Sequence, residues 1–143
     1  MPEYIDTLIA DAIRPEANNK ITVLGLLGDA LFVPAVPTAL ATLAIIQRWR
    51  PTPREAPGTN FAFSFEIHGP GFVPIVVAAQ TLTVPVGPRP NMNFVVQIQG
   101  FPVPQEGDYE IRTLIDGVPQ HTYQFFIGVP PQNQRDRLLG FRP

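Results

Sequence analysis

The chain has 143 residues, a formal net charge of -2 and no cysteine, and charged residues make up only 15% of it. The length suits one domain that can bury a core without disulfides, and the absence of cysteine excludes disulfides, thiolate metal sites and thiol nucleophiles. The nearly balanced charge gives no long-range attraction to nucleic acid or anionic membrane. So few charges indicate either an unusually apolar surface or a surface that another chain covers.

The start of the chain, MPEYIDTLIADAIRPE, carries acidic residues where a signal peptide needs a basic and then an apolar region. The longest apolar stretch, residues 35–46, contains Pro37 and is too short to span a bilayer. We therefore expect a cytoplasmic protein with no membrane partner.

Eighteen prolines divide the chain, and most of the segments between them hold one run typical of a β-strand. Residues 4–13 predict a first strand. Asn18 and Asn19 then supply a turn before KITVLGLL, which predicts a hairpin. Gly25 and Gly28 indicate a bulge and a turn before the short ALFV strand.

The middle of the chain contains two strands of different character. Residues 38–50 are largely apolar on both faces, which is typical of a strand buried on both sides. In residues 59–68, phenylalanine and isoleucine alternate with Ala, Ser, Glu and His, so one face belongs to the core and the other to solvent.

The last third of the chain predicts further strands at 75–84, apolar on both faces, and at 92–99, which alternates. It closes with a hairpin whose turn at Asp116 and Gly117 suits a type I′ geometry. Pro119 indicates a sheet edge near the start of the final strand. Tyr109 stands where sandwiches place a corner tyrosine that bonds nearby backbone.

Eight or nine short strands at this spacing predict an all-β fold, a two-sheet antiparallel β-sandwich of immunoglobulin-like or C2-like type. We expect the sandwich to occupy residues 1–129. Residues 130–143 break the pattern and form a C-terminal tail, which can dock either on its own domain or on a neighbour.

Three stretches, IADAI, NNKITVLGLLGDALFV and EGDYEIRTLIDGVPQHTYQFFIGVPP, resemble a bacterial family of uncharacterised small β-sandwich proteins. Members open with an Ala-Asp-Ala strand, continue with a lysine-containing strand ending in Leu-Gly-Gly, and close with a Gly-Xaa-Tyr strand and an Asp-Gly hairpin. Here Leu26 follows Leu24 and Gly25, in place of the second glycine. The resemblance implies a fold and a bacterial cytoplasmic setting, and it implies no activity.

Residues that could carry catalysis or bind a metal are few and scattered. His68 and His121 lie far apart, the acidic residues do not gather as calcium sites require, and Ser64 has no nucleophile-elbow motif around it. We therefore expect no catalytic site, no cofactor and no metal, and a protein that is not an enzyme. A carboxylate pair of the glycosidase kind is a lesser alternative.

The densest basic and aromatic cluster outside the tail contains Arg48, Trp49 and Arg50. Such clusters stack on single-stranded nucleic acid, but a binder normally has several of them and a basic charge balance, so we expect no nucleic-acid partner. Two interpretations are open: Trp49 caps the core beside solvated arginines, or the three residues belong to an interaction surface.

The apolar surplus of the chain points to self-association. Phe126 faces outward from the final strand, and the tail carries Leu138, Leu139 and Phe141. We expect a non-catalytic interaction or assembly module that forms a homo-oligomer or binds a protein partner through these residues. A phage-like or virion-like decoration protein is the alternative.

Overall fold

The computed structural model describes residues 1–17 and 21–130, which form an all-β fold of nine strands in two packed sheets. This confirms the predicted β-sandwich. The predicted turn at Asn18 and Asn19 and the predicted tail contacts at Leu138, Leu139 and Phe141 lie outside the described residues. The strands are β1 (Glu3–Pro15), β2 (Ile21–Leu27), β3 (Ala30–Phe32), β4 (Thr38–Arg50), β5 (Asn60–His68), β6 (Ile75–Thr83), β7 (Met92–Val103), β8 (Gly107–Ile115) and β9 (Val118–Gly128).

One sheet has four strands in the order β2-β1-β4-β7, and the other has five in the order β3-β9-β8-β5-β6. Neighbouring strands pair antiparallel except for β3 and β9, which pair in parallel over three residues. Side-chain contacts between the sheets place β1 over β9, β4 over β8, and β7 over β5, with the edge strand β6 reaching the side of β7. In the described residues, no helix is both long and apolar enough to cross a bilayer.

The core lies between the sheets and follows from the alternating sequence of the strands. On β5 the side chains of Phe61, Phe63, Phe65 and Ile67 are all buried, as the alternation predicts. On β7 the buried side chains of Met92, Phe94 and Val96 face them. The aromatic rings pack edge to face or tilted, for example Phe63 on Phe94 with centroids 5.6 Å apart.

Strand β4 is buried on both faces from Leu43 to Gln47, as predicted, because a second cluster covers its outer side. Strand β1 pairs with β4 only as far as Ala10 and then continues with β2 alone. The Gln97 side chain on β7 donates to the Ile13 carbonyl at 3.1 Å and accepts the Ile13 N–H at 3.2 Å. This bridge fixes the end of β1 against the four-stranded sheet. There, residues of β1 and β4 form an outer apolar cluster of Ala10, Ile13, Ala44 and Ile46.

The final hairpin forms as predicted. Asp116 and Gly117 have φ angles of 52° and 78°, the positive values that a type I′ turn needs. The Asp116 carboxylate also accepts the Ala62 N–H at 2.8 Å, which anchors the turn to β5.

The corner tyrosine also has the predicted contact. The hydroxyl of fully buried Tyr109 donates to the Gln105 carbonyl at 2.7 Å, and burial raises the pKa of this phenol.

Two predictions about edges need refinement. The apolar run at 75–84 forms β6, which lies at the edge of the five-stranded sheet with Val76 70% exposed. Pro119 lies on β9, an inner strand, but β3 pairs only with Phe126–Gly128. In the described part of the chain, the first half of β9 therefore has a free edge, where proline is tolerated.

Candidate interaction surfaces

The cluster of Arg48, Trp49 and Arg50 is divided among three environments. Trp49 is 1% exposed, and its indole N–H donates to the side-chain amide oxygen (Oε1) of Gln47 at 3.2 Å. The prediction that Trp49 belongs to an interaction surface is therefore corrected. Successive side chains of a strand point to opposite faces, and the Trp49 side chain lies on the face of β4 that points into the core. The ring packs between the sheets and offers no surface to a partner.

Arg48 points outward from β4 and makes two hydrogen bonds to the Asp6 carboxylate on β1. These bonds hold the pKa of Asp6 below its usual value. Both side chains are solvent-accessible, so the pair contributes little to stability. Its charges are matched, which makes Arg48 a weak anchor for a partner.

Arg50 lies at one end of the sandwich, on an open cleft of about 700 Å³. Six prolines line this cleft together with Arg89 and Glu55. The Glu55 carboxylate accepts hydrogen bonds from the hydroxyl and the N–H of Thr52. Arg50 and Arg89 are exposed at the rim. The Glu55 side chain is largely buried, but Thr52 and the Met1 ammonium group, 3.5 Å away, already engage it.

A buried polar cluster that sequence reasoning missed joins the two sheets at Gln47. The Gln47 amide donates to the Thr7 hydroxyl at 3.1 Å, and its oxygen accepts from Trp49 and from the Thr113 hydroxyl at 2.6 Å. Gln47 and Thr113 are fully buried. The alternation on β4 places Gln47 inward, which was the available signal, but an inward polar residue has no assignable partner in a sequence.

Two aromatic side chains lie exposed and close together at the opposite end of the sandwich from the cleft. Phe32 is 42% and Phe126 39% exposed. Phe32 is paired with Gly128, and the Phe126 ring lies over Gly128 so closely that a Cβ there would be 2.5 Å from it. The prediction that Phe126 faces outward agrees with this exposure.

Three acidic residues lie close to these two rings, Asp29 through its backbone. Asp108 is the cross-strand partner of Phe126, whose N–H donates to the Asp29 carbonyl. The Glu106 carboxylate accepts the N–H of Val129, just past the end of β9. The five residues Phe32, Phe126, Asp29, Glu106 and Asp108 are called the aromatic corner below.

Strand β2 presents a second apolar surface, called the β2 edge below. It is the outermost strand of the four-stranded sheet and contains no charged residue and no proline from Ile21 to Leu27. Ile21 and Leu24 are about 40% exposed and Leu26 is 63% exposed. Natural sheets usually protect such an edge with lysine, proline or a bulge.

The other edges carry such protection. Strand β6 has a register shift opposite Phe63 and Phe65, and the amide of Gln80 donates to the Val95 carbonyl on β7 at 3.4 Å. Strand β7 contains Pro102, and the free half of β9 contains Pro119 with a register shift beside it. Strand β3 is only three residues long. Strand β2 has one irregularity, a φ angle of 65° at Gly25, where the pairing with β1 shows no register shift. With no charge and no proline, the β2 edge is the least protected edge of the described sandwich.

Among residues 1–17 and 21–130, no three His, Asp or Glu side chains lie close enough together to hold a metal ion. His121 instead stacks on the Tyr4 ring with centroids 3.5 Å apart. Burial lowers the pKa of His121 and raises that of Tyr4.

Comparison with known proteins identifies the family. Residues 6–128 match the family of unknown function DUF6941. The chain belongs to this family. The matched region contains the β2 edge and the exposed rings of the aromatic corner, and it confirms the resemblance to an uncharacterised family.

Other comparisons add little. No curated protein matches the chain. A similar solved structure is the Pseudomonas fluorescens alkylpurine DNA glycosylase AlkC bound to DNA containing an abasic site analog, with 8% identity and a TM-score of 0.47. The match covers 71% of this chain and 28% of that one, so the chain spans less than a third of the glycosylase chain. A likeness this distant carries no functional argument.

Proposed function

We propose that this DUF6941 protein is a non-catalytic interaction module that self-associates through the β2 edge. The observation that carries the proposal is the unprotected state of that edge, with Leu24 and Leu26 exposed on a strand free of charge and proline. The proposed setting is the cytoplasm, which suits a chain without cysteine.

The geometry of an edge strand favours a second copy as the partner. Two copies of β2 can pair antiparallel about a two-fold axis, which joins two four-stranded sheets into one of eight strands. Such pairing satisfies free backbone groups of both edges. Strand β2 itself carries no charge, and the nearby Asp11 carboxylate of β1 lies over Gly25, on a face of the sheet. The apolar cross-strand pairs of two β2 strands contribute roughly 0.2–1 kcal/mol each.

The test compares two substitutions of similarly exposed apolar residues, Leu26 (63%) and Val76 (70%), on opposite sides of the sandwich. Leu26→Lys places a charge on the β2 edge, and Val76→Lys places one on β6, beside its cross-strand partner Glu66. Both side chains are already exposed, so neither change disturbs the core. Native mass is measured by light scattering after size exclusion over a range of concentrations.

We expect the unsubstituted chain and Val76→Lys to exceed the monomer mass of 15.8 kDa. Leu26→Lys should weaken association by about tenfold or more, which corresponds to about 1.4 kcal/mol. A monomer at every concentration, or equal effects of the two substitutions, would contradict the proposal. Large regular particles would favour the decoration protein instead.

A further inference from the structure

We propose that the aromatic corner is a docking site for the C-terminal segment of the same chain, residues 131–143. This is a second surface, distinct from the β2 edge, and it does not depend on self-association. The occupant is inferred from three features: the apolar match, the charge match, and the point where the described chain ends.

The corner offers an apolar surface that its own sandwich leaves open. Phe32 and Phe126 present their rings on the outer face of the five-stranded sheet, and Gly128 between them adds no side chain. The segment supplies Leu138, Leu139 and Phe141 within four residues. Covering two half-exposed rings with such side chains removes apolar area from water at roughly 25 cal/mol per Å².

The charges are complementary as well. Asp108 is the cross-strand partner of Phe126, and the Glu106 carboxylate lies at Val129 beside Gly128. Asp29 adds a third acidic residue next to Phe126, which it contacts through its backbone carbonyl. The segment has three arginines and one aspartate, so it is basic in a chain whose net charge is negative. Arginine carries planar, bidentate donors for carboxylates, and its flat head group also packs on aromatic faces.

The position of the chain end makes the same chain the favoured source. Val129, held by Glu106, directly follows Gly128, and Pro130 is the last described residue. Leu138 lies eight residues beyond Pro130 and has a reach of up to about 28 Å, whereas the corner begins at the exit point itself. A segment tethered this closely has an effective concentration in the millimolar range, above that of a second copy in dilute solution.

The experiment follows amide hydrogen exchange in residues 132–143 by mass spectrometry. The reference is a free peptide of residues 131–143, which measures exchange without the corner. In the intact chain we expect exchange in this segment to be slowed by about fivefold or more. Phe126→Lys should remove the slowing, and the matched surface change Val76→Lys should keep it.

A second variant guards against a folding defect at Phe126. Replacing Leu138, Leu139 and Phe141 by serine leaves the sandwich sequence intact, and we expect it to raise the fluorescence of a dye that binds exposed apolar surface. Leu26→Lys should retain the slowed exchange, so failure of the self-association proposal would not be mistaken for failure of this one.

The proposal is overturned if the segment in the intact chain exchanges as fast as the free peptide. It is also overturned if the slowing appears only when the protein concentration is raised, by about a hundredfold, because the occupant would then be the segment of a second copy. Slowing that is independent of concentration and lost in Phe126→Lys supports it.

Discussion

The two lateral sides of the sandwich, one where β6 and β7 meet and one where β2 and β3 meet, differ in how the two sheets contact each other. Where β6 and β7 meet, the Gln80 amide reaches the Val95 carbonyl of the opposite sheet, and a register shift interrupts β6. Where β2 and β3 meet, the sheets are linked by the short connection at Gly28 and Asp29, and β3 is only three residues long. The first side has a polar contact between the sheets, and the second exposes several apolar side chains.

The exposed apolar residues follow this division. Ten large apolar side chains are exposed among the described residues, and half of them lie on β2, β3 and the end of β9. A surplus spread evenly over a domain needs no explanation, whereas a concentrated one marks a contact surface. The β2–β3 side therefore holds the main concentration of exposed apolar side chains among the described residues.

The largest predicted effect comes from a comparison of two glutamines, one in the core and one at the β6–β7 side, each replaced by leucine. Gln47→Leu removes the acceptor of Trp49 and Thr113 in the core, leaving buried donors unpaired. We expect it to lower the free energy of unfolding by about 2–4 kcal/mol. Urea unfolding followed by the fluorescence of Trp49, the single tryptophan, measures this loss.

Gln80→Leu is the matched change at the β6–β7 side. The Gln80 side chain is exposed and its hydrogen bond is long, so we expect a loss below about 1 kcal/mol. The same variant should gain association through β6 that Leu26→Lys does not remove, since the polar contact between the sheets on that side is then lost. Light scattering of the double variant checks this. Equal losses of stability at the two glutamines would contradict the central role of Gln47.

Much of the fold was predictable because its signals are local. The alternation from Phe61 to Ile67 identified the core face of β5, and Asp116 with Gly117 identified the hairpin turn. Tyr109 was recognised from its position at the start of the penultimate strand, and it has the expected contact with nearby backbone, at the Gln105 carbonyl. Each of these features depends on residues within one strand or one turn.

The parts that sequence reasoning missed depend on which strands become neighbours. The run at 75–84 is apolar on both faces, yet nothing in it tells whether β6 lies inside a sheet or at its edge. Trp49 lies beside two arginines in sequence, but the pleat separates them in space. The partners of Gln47 come from β1 and β8, 40 and 66 residues away.

The smallest predicted effect concerns the contact between β1 and β9, next to the β2–β3 side. Burial lowers the pKa of His121 below its ordinary value of about 6.5, while the unfolded chain takes up a proton near that value. Between these two values the unfolded state binds more protons, so stability rises with pH. The contribution is complete above about pH 6.5 and is lost as the pH falls through the unfolded value towards the folded one.

His121→Phe keeps an aromatic ring against Tyr4 and removes the titration. We expect the melting temperature of the unsubstituted chain to fall between about pH 7 and pH 5, and that of the variant to fall less, with a difference of no more than about 4 °C. The carboxylates whose pKa values are lowered, Asp6 and Glu110, lose their contributions only below their own ordinary values, at more acidic pH. Parallel melting curves of the two proteins across this range would show that protonation of His121 does not weaken the contact between β1 and β9, and the stack on Tyr4 would then be a matter of packing alone.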